Sequence, residues 1–298
     1  MKKITGVIPA MVTPFTASGD IDMSAFVSNI EKWNKDRLAG YLVIGSNSES
    51  VYLSEDEKLE LVKLTARHAE KDRLIMAGSG MESARETIKL TNKCAKAGAH
   101  CALILTPFYY GSAMDSKAMI RFFTEVADNC DIPVYIYNVI KFTHINIGAD
   151  AVAELSRHKN IAGMKDSNGD VPQLATFLRV ASPDFQIMTG SYGAFYPALT
   201  MGICAIISAM ANCCPNEIAE TQELYEAGKQ KESFDLYQRM FPVNAAVTGS
   251  FGIAGLKYAC DYLGYSGGHV RNPLADCTES QKEQLRAIID TALMKDKK

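Results

Sequence analysis

The eight cysteines form no C-x-x-C pair, and the five histidines form no H-E-x-x-H or H-x-H. Neither a metal site nor a dithiol redox centre is therefore expected. Charge of one sign is also lacking. The formal net charge is −3 and no block of lysine or arginine stands out, which argues against electrostatic binding to nucleic acid. Long apolar runs are missing too. The longest, residues 203–214, contains Asn212 and is too short to span a bilayer, so no membrane partner is expected. The N-terminus starts Met1-Lys2-Lys3 without the apolar core and small-residue cleavage site of a signal peptide, and it does not read as a transit peptide. Several cysteines sit inside apolar stretches, as in Cys101-Ala102-Leu103-Ile104-Leu105. Buried thiols in a reducing compartment fit this pattern better than disulfides, and a cytoplasmic location is expected. Gly78-Ser79-Gly80 completes neither G-x-G-x-x-G nor a Walker loop, so no nucleotide cofactor is expected.

What the chain has in quantity is apolar sequence in short, evenly spaced pieces. Of 298 residues, 47% are hydrophobic, enough for a large core. Eight apolar runs, at 7–12, 41–44, 74–77, 101–105, 134–137, 161–164, 186–189 and 204–207, read as parallel strands buried on both faces. Through most of the chain they recur at about 30 residues, the length of a βα unit. Helices between them carry start signals: Ser54 with Glu57 and Ser83 with Glu86 have capping-box spacing. Leu59, Val62, Ala66 and Ala69 mark one helical face, and Gly98 stands where a C-terminal glycine belongs. From residue 216 onward only helical periodicity remains, with breaks near Gly228, near Gly249 and across 264–273, and a further capping pair at Thr278 and Gln281. The expectation is an α/β fold, a (β/α)8 TIM barrel over 1–215 with a C-terminal helical extension over 216–298. Such a barrel typically takes about 250 residues.

In that fold chemistry sits at the C-terminal ends of the strands. Gly45-Ser46-Asn47-Ser48-Glu49 follows the second run, Thr106-Pro107-Phe108-Tyr109-Tyr110 the fourth, Tyr137-Asn138 ends the fifth, and Lys165-Asp166-Ser167-Asn168-Gly169 ends the sixth. A rim of hydroxyls and amides surrounds one lysine. Desolvation at such a position disfavours the ammonium form, and a neutral amine attacks a ketone to form an imine. The iminium withdraws electrons so that a neighbouring carbon–carbon bond breaks, Tyr137 is placed to move protons, and the N–H groups of the Gly45–Glu49 turn suit a carboxylate. Each residue alone has a plainer reading. A strand-end lysine is commonly a solvated side chain, Tyr109 and Tyr137 are ordinary rim or core aromatics, and Ser46 and Asn47 are common turn residues. Glu49 reads as a carboxylate tying down backbone amides rather than as a base.

Together these segments resemble the dihydrodipicolinate synthase and N-acetylneuraminate lyase superfamily over essentially the whole length. The resemblance is carried by Pro9-Ala10-Met11-Val12-Thr13-Pro14-Phe15, Gly45-Ser46-Asn47-Ser48-Glu49, Ala77-Gly78-Ser79-Gly80, Thr106-Pro107-Phe108-Tyr109-Tyr110, Tyr137-Asn138-Val139 and Gly163-Met164-Lys165-Asp166-Ser167. It implies a Schiff-base lysine at Lys165, a proton-shuttling tyrosine at Tyr137, and the two further hydroxyls of a relay at Ser46 and Tyr109. It also implies a carboxylate turn at Ser46 and Asn47 and a backbone carbonyl of Ile207 near the lysine. Substrate contacts are expected at Ser167 and Asn168. No cofactor is implied beyond the covalent imine. The partners implied are a 2-oxo acid, pyruvate, and an aldehyde. Tyr109 is expected to reach into a neighbouring subunit, in a homotetramer built from dimers.

Within the superfamily the closest resemblance is to the 4-hydroxy-2-oxoglutarate aldolases, through the Gly-Ser-Asn turn, Tyr109-Tyr110-Gly111, and Asn244-Ala245-Ala246-Val247-Thr248 followed by Phe251-Gly252-Ile253 and Gly255-Leu256-Lys257. Several positions depart from the synthase pattern. Phe142 stands where synthases carry an arginine that grips the aldehyde substrate's carboxylate, and a phenyl ring makes no bidentate contact. Ile140 replaces a proline, His144 a glycine, and Ser48 the usual glycine of the turn. Glu55, Lys58, Glu82 and Phe108 do not match the pattern of lysine-inhibited enzymes. The rival readings are a 2-keto-3-deoxy sugar acid aldolase or dehydratase, 4-hydroxy-tetrahydrodipicolinate synthase, N-acetylneuraminate lyase, and a non-catalytic 2-oxo acid binder. For a second carboxylate the candidates are Lys141, His144, Ser167 and Asn168. For sugar hydroxyls they are Thr143, Ser167 and Asn168.

Overall fold

The computed structural model describes residues 3–294. Eight parallel strands, β1 (Gly6–Pro9), β2 (Gly40–Val43), β3 (Leu74–Ala77), β4 (Cys101–Leu105), β5 (Val134–Asn138), β6 (Ile161–Asp166), β7 (Gln186–Thr189) and β8 (Ala205–Ser208), form one sheet in the order β1-β8-β7-β6-β5-β4-β3-β2. The ends of that order meet. Ala10 bridges Leu42, and Ala39 N–H donates to the Val7 carbonyl at 2.8 Å. The result is the (β/α)8 barrel expected from the spacing of the apolar runs. Its interior is filled by Ile8, Leu42, Met76, Leu103, Tyr135, Met188 and Ile207. Outward-facing strand residues pack beneath the helices in two further clusters. Each fully buried aliphatic or aromatic side chain contributes about 1.5–3 kcal/mol of transfer free energy.

The helices α1 (Met23–Trp33), α2 (Glu55–His68), α3 (Ala84–Lys96), α4 (Ser116–Asn129), α5 (Ile140–Thr143), α6 (Ala149–Leu155), α7 (Val171–Val180), α8 (Phe195–Thr200) and α9 (Pro215–Glu226) alternate with the strands, and α9 packs against β1. The Ser54–Glu57 and Thr278–Gln281 capping boxes form in full, whereas Ser83 accepts from Glu86 N–H without the reciprocal bond. Thr87, Leu90, Thr91 and Cys94 bury one face of α3, the i, i+3, i+4, i+7 stripe that makes it helical. In α2 the fully buried residues are Leu61, Val62 and Thr65. Leu59, Ala66 and Ala69 lie on the flanks of that face and are only partly buried. Gly98 has φ +111 and closes α3 where an L side chain is strained.

Several strand boundaries differ from the sequence pattern, and two of the differences have a visible cause. β2 stops one residue early because Ile44 turns to φ 53, a rare conformation for a β-branched residue. The first strand stops at Pro9 although residues 10–12 are as apolar as the rest. Ala10 and Met11 still bond to β8 and β2, and a side chain then takes over: Asn212 accepts from Val12 N–H at 3.0 Å and donates to the Ala10 carbonyl at 2.8 Å.

After β8, α10 (Gln230–Ala245), a π-helical turn (Ala246–Ser250), α11 (Gly252–Tyr262) and α12 (Glu279–Leu293) follow α9, so the break read near Gly249 is a widened turn rather than a loop. No described helix is long and apolar enough to cross a membrane. The described cysteines are all free. Burial pushes the Cys94 thiol up to about 12 and Cys130 up to about 11, which leaves both protonated and unreactive.

Candidate active site

Lys165 is the next-to-last residue of β6, in register with Tyr137 of β5 and Met188 of β7. Parallel register partners point to the same face, so lysine and tyrosine meet inside the barrel mouth. The lysine is 4% exposed, and its Nζ lies 4.4 Å from the centroid of the Tyr137 ring. Lys165 makes no ion pair among the described residues. An amine buried in the barrel mouth beside a tyrosine is placed to attack the carbonyl of a bound 2-oxo acid. Gly190, after β7, makes room for it: a Cβ there would stand 2.6 Å from Lys165 Cε and 1.8 Å from Ser167 Oγ.

The strand ends that carry Lys165 and Tyr137 are clamped by a buried polar network. Asn138 Nδ2 donates to Asp166 Oδ2 at 2.7 Å, Gln173 Nε2 donates to the same oxygen at 2.8 Å, and Asn168 N–H donates to Oδ1 at 3.1 Å. Burial pushes the Asp166 carboxyl above the usual range, and these hydrogen bonds oppose it. Asn138 and Asp166 appear in the sequence motifs, but nothing in the sequence assigns them this role. Gln173 carries no signal at all.

The turn after β2 is two successive 3-10 turns, Ser46–Ser48 and Ser50–Tyr52, hinged on Glu49 at φ 54. Ser48 does not hold the left-handed position. It donates its hydroxyl to the Met11 carbonyl at 2.6 Å, so a serine fits where the resemblance leads one to expect glycine. The N–H groups of Ser46 and Asn47 have no hydrogen-bond partner among the described residues. Ser46 Oγ lies 3.5 Å from Tyr137 Oη. Glu49 does tie down a backbone amide, that of Arg271 at 2.8 Å, and it also pairs with Lys257.

Lys165, Tyr137, Asn47, Ser167 and Ile207 line one cavity of about 410 Å³, and Ser46 lines an adjoining lobe that shares Tyr137. Ser167 Oγ is buried with no hydrogen-bond partner, as is Thr106 Oγ1 in the adjoining lobe. The site thus holds two buried hydroxyls without a protein partner. Asn168, expected here, is not brought in, and Tyr109, expected to reach a neighbouring subunit, faces outward. Asn168 spends its amide on Asp166, Asn146 and the Ile140 N–H and does not line the cavity. Tyr109 is 76% exposed and lies outside its own chain's lysine cavity, against Phe108, Gly111 and Thr143. Among the described residues no group of His, Cys, Asp and Glu is arranged to hold a metal ion.

Residues 3–292 match the model of the dihydrodipicolinate synthetase family. The chain belongs to that family. The 4-hydroxy-tetrahydrodipicolinate synthase of Methanoculleus marisnigri is 31% identical over 287 residues, 95% of this chain and 98% of the relative. Among solved structures, dihydrodipicolinate synthase of Bacillus anthracis superposes with a TM-score of 0.93 at 27% identity, covering 97% of this chain and 99% of that one. The Acinetobacter baumannii enzyme, crystallised with pyruvate, gives 0.92 at 26% identity over 97% and 99%. Membership makes this chain an enzyme of the Schiff-base carbon–carbon lyase class. The resemblance read from the motifs therefore holds at the level of the superfamily.

Proposed function

We propose that the protein is a class I aldolase that cleaves a 4-hydroxy-2-oxo acid, 4-hydroxy-2-oxoglutarate or a near analogue, to pyruvate and an aldehyde. The observation that carries this reading is the buried, ion-pair-free Lys165 facing Tyr137 in a cavity whose rim holds two unpaired backbone N–H groups, those of Ser46 and Asn47. The substrate carboxylate binds those N–H groups. The Lys165 amine adds to C2, and the Tyr137 hydroxyl gives its proton to the C2 oxygen, which leaves as water, so that the iminium and a tyrosinate form. Tyr137 accepts the proton of the 4-hydroxyl, C3–C4 breaks, the aldehyde departs, and the electron pair passes into an enamine. Protonation at C3 and hydrolysis then release pyruvate and the free amine. Ser46, 3.5 Å from Tyr137, relays the proton. The Ile207 carbonyl borders the lysine, Ser167 offers its free hydroxyl to the substrate, and Tyr109 of a neighbouring copy supplies the third hydroxyl. The family is typically tetrameric, which fits that contribution. The imine on Lys165 takes the place of a cofactor.

A second reading, condensation as a 4-hydroxy-tetrahydrodipicolinate synthase, is favoured by the names of the relatives. Against it stand Phe142 in place of the expected arginine and a lysine cavity that no arginine lines. Borohydride reduction in the presence of pyruvate tests the common chemistry. Wild type is expected to gain one reduced pyruvyl adduct on Lys165 and Lys165→Ala none; an untrapped wild type refutes the proposal. Pyruvate release from 4-hydroxy-2-oxoglutarate, run beside condensation of pyruvate with aspartate semialdehyde, separates the two readings.

A further inference from the structure

The lysine cavity has two unlike walls. Asn47, Tyr137 and Ser167 surround Lys165, whereas the wall supplied by α5, the π-helical turn, the start of α11 and the loop before α12 presents Phe142, Val247, Phe251, Ile253 and Leu274. Phe142 is 45% exposed and Leu274 40%. Two large apolar side chains thus remain open to solvent at a concave site, the usual mark of a surface that a ligand covers. The second cation in this lining, Lys141, donates to the Thr248 carbonyl, a bond that holds it to the π-helical turn. A carboxylate brought against the Phe142, Phe251, Ile253 and Leu274 side chains loses its hydration, whereas an alkyl or phenyl group gains by burial.

We infer that the aldehyde half of the substrate carries an apolar substituent, alkyl or phenyl, held by Phe142, Val247, Phe251, Ile253 and Leu274. The inference rests on the pyruvate chemistry proposed above and narrows which analogue of 4-hydroxy-2-oxoglutarate is meant: one with an apolar group on C4 in place of the carboxylate. In the synthetic direction the enamine carbon of Lys165-bound pyruvate bonds to the aldehyde carbon. The carbonyl π pair moves to oxygen, which takes the Tyr137 hydroxyl proton, and water hydrolyses the iminium to release the 4-hydroxy-2-oxo acid.

The test first traps pyruvate with borohydride, which needs no aldehyde, and then compares kcat/KM for addition of pyruvate to isobutyraldehyde and benzaldehyde with that for glyoxylate. At least one apolar aldehyde is expected to exceed glyoxylate by about 10-fold or more, and Phe142→Arg, a change at an exposed position, is expected to shift the ratio toward glyoxylate by a similar factor. If trapping fails, the proposed function falls and this inference with it. If trapping succeeds while glyoxylate outpaces both apolar aldehydes, or neither apolar aldehyde condenses, or Phe142→Arg leaves the ratio unchanged, the inference alone is overturned.

Discussion

Lys257 Nζ lies 2.6 Å from Glu49 Oε1 with both side chains buried, 1% and 0% exposed. The pair joins α11 to the residue on which the turn after β2 is hinged, and sequence separates its members by most of the chain. Lys257 also donates to the His269 carbonyl and lies 4.4 Å from the centroid of the Phe15 ring. Burial lowers the Lys257 pKa and the Glu49 charge opposes that shift. Removing one partner leaves an uncompensated buried charge, which costs about 3–5 kcal/mol, while removing both costs much less. Lys257→Met is therefore expected to lower the unfolding free energy by that amount, with Glu49→Gln in the same chain recovering part of it. A denaturant double-mutant cycle measures this, and a single variant within about 1 kcal/mol of wild type would show that the pair does not brace the turn.

Tyr137→Phe separates binding from chemistry. The ring that packs beside Lys165 remains, and only the hydroxyl near Ser46 is lost. Imine formation, read by borohydride trapping, is expected to survive, while turnover falls by about 100-fold or more. Turnover close to wild type would remove Tyr137 from the proton transfers.

How far the sequence carries differs between these residues for a physical reason. Lys165 and Tyr137 are legible because each ends a short apolar run, and a run of that kind has one reading in a barrel of parallel strands. The residues that hold them are not. Gln173 reaches Asp166 from a helix, Asn212 takes up the Val12 N–H with a side chain where an apolar run promised backbone pairing, and Ile44 leaves β2 against the preference of a β-branched residue. In each case a contact distant in sequence overrides local propensity. Asn168 shows the converse. Beside the lysine in sequence, it turns away from the cavity because Asp166 takes its amide.

The exposure of Tyr109 makes a prediction about assembly. If its hydroxyl serves a neighbour's lysine, Tyr109→Phe and Lys165→Ala damage different copies of the site. Mixed after dissociation and reassociation, the two weakened variants are expected to recover a substantial part of wild-type activity, because some hybrid sites carry an intact lysine and an intact tyrosine. Activity of the mixture equal to the mean of its components, in hybrids verified by native mass spectrometry, would place Tyr109 outside the reaction.

A pH dependence follows from Arg271, which donates through both terminal nitrogens to Glu57, at 3.0 Å to Oε2 and 2.7 Å to Oε1. The arginine bond is the main cause that lowers the Glu57 carboxyl below its ordinary range. The same guanidinium donates to the carbonyls of Gly19 and Tyr52, so the pair ties the start of α2 to the loop before α12. A carboxylate whose pKa is lower in the folded chain binds fewer protons there than when unfolded. Its contribution is thus complete above the unfolded value and is lost as pH falls through the folded one. Glu57→Gln is expected to cost about 2 kcal/mol at neutral pH. The gap between variant and wild type should begin to narrow as pH falls below the ordinary glutamate range and close once pH passes the lowered folded value. Urea unfolding at a series of pH values measures the gap. A difference that stays constant from neutral pH to pH 3 would mean that glutamine loses packing rather than charge.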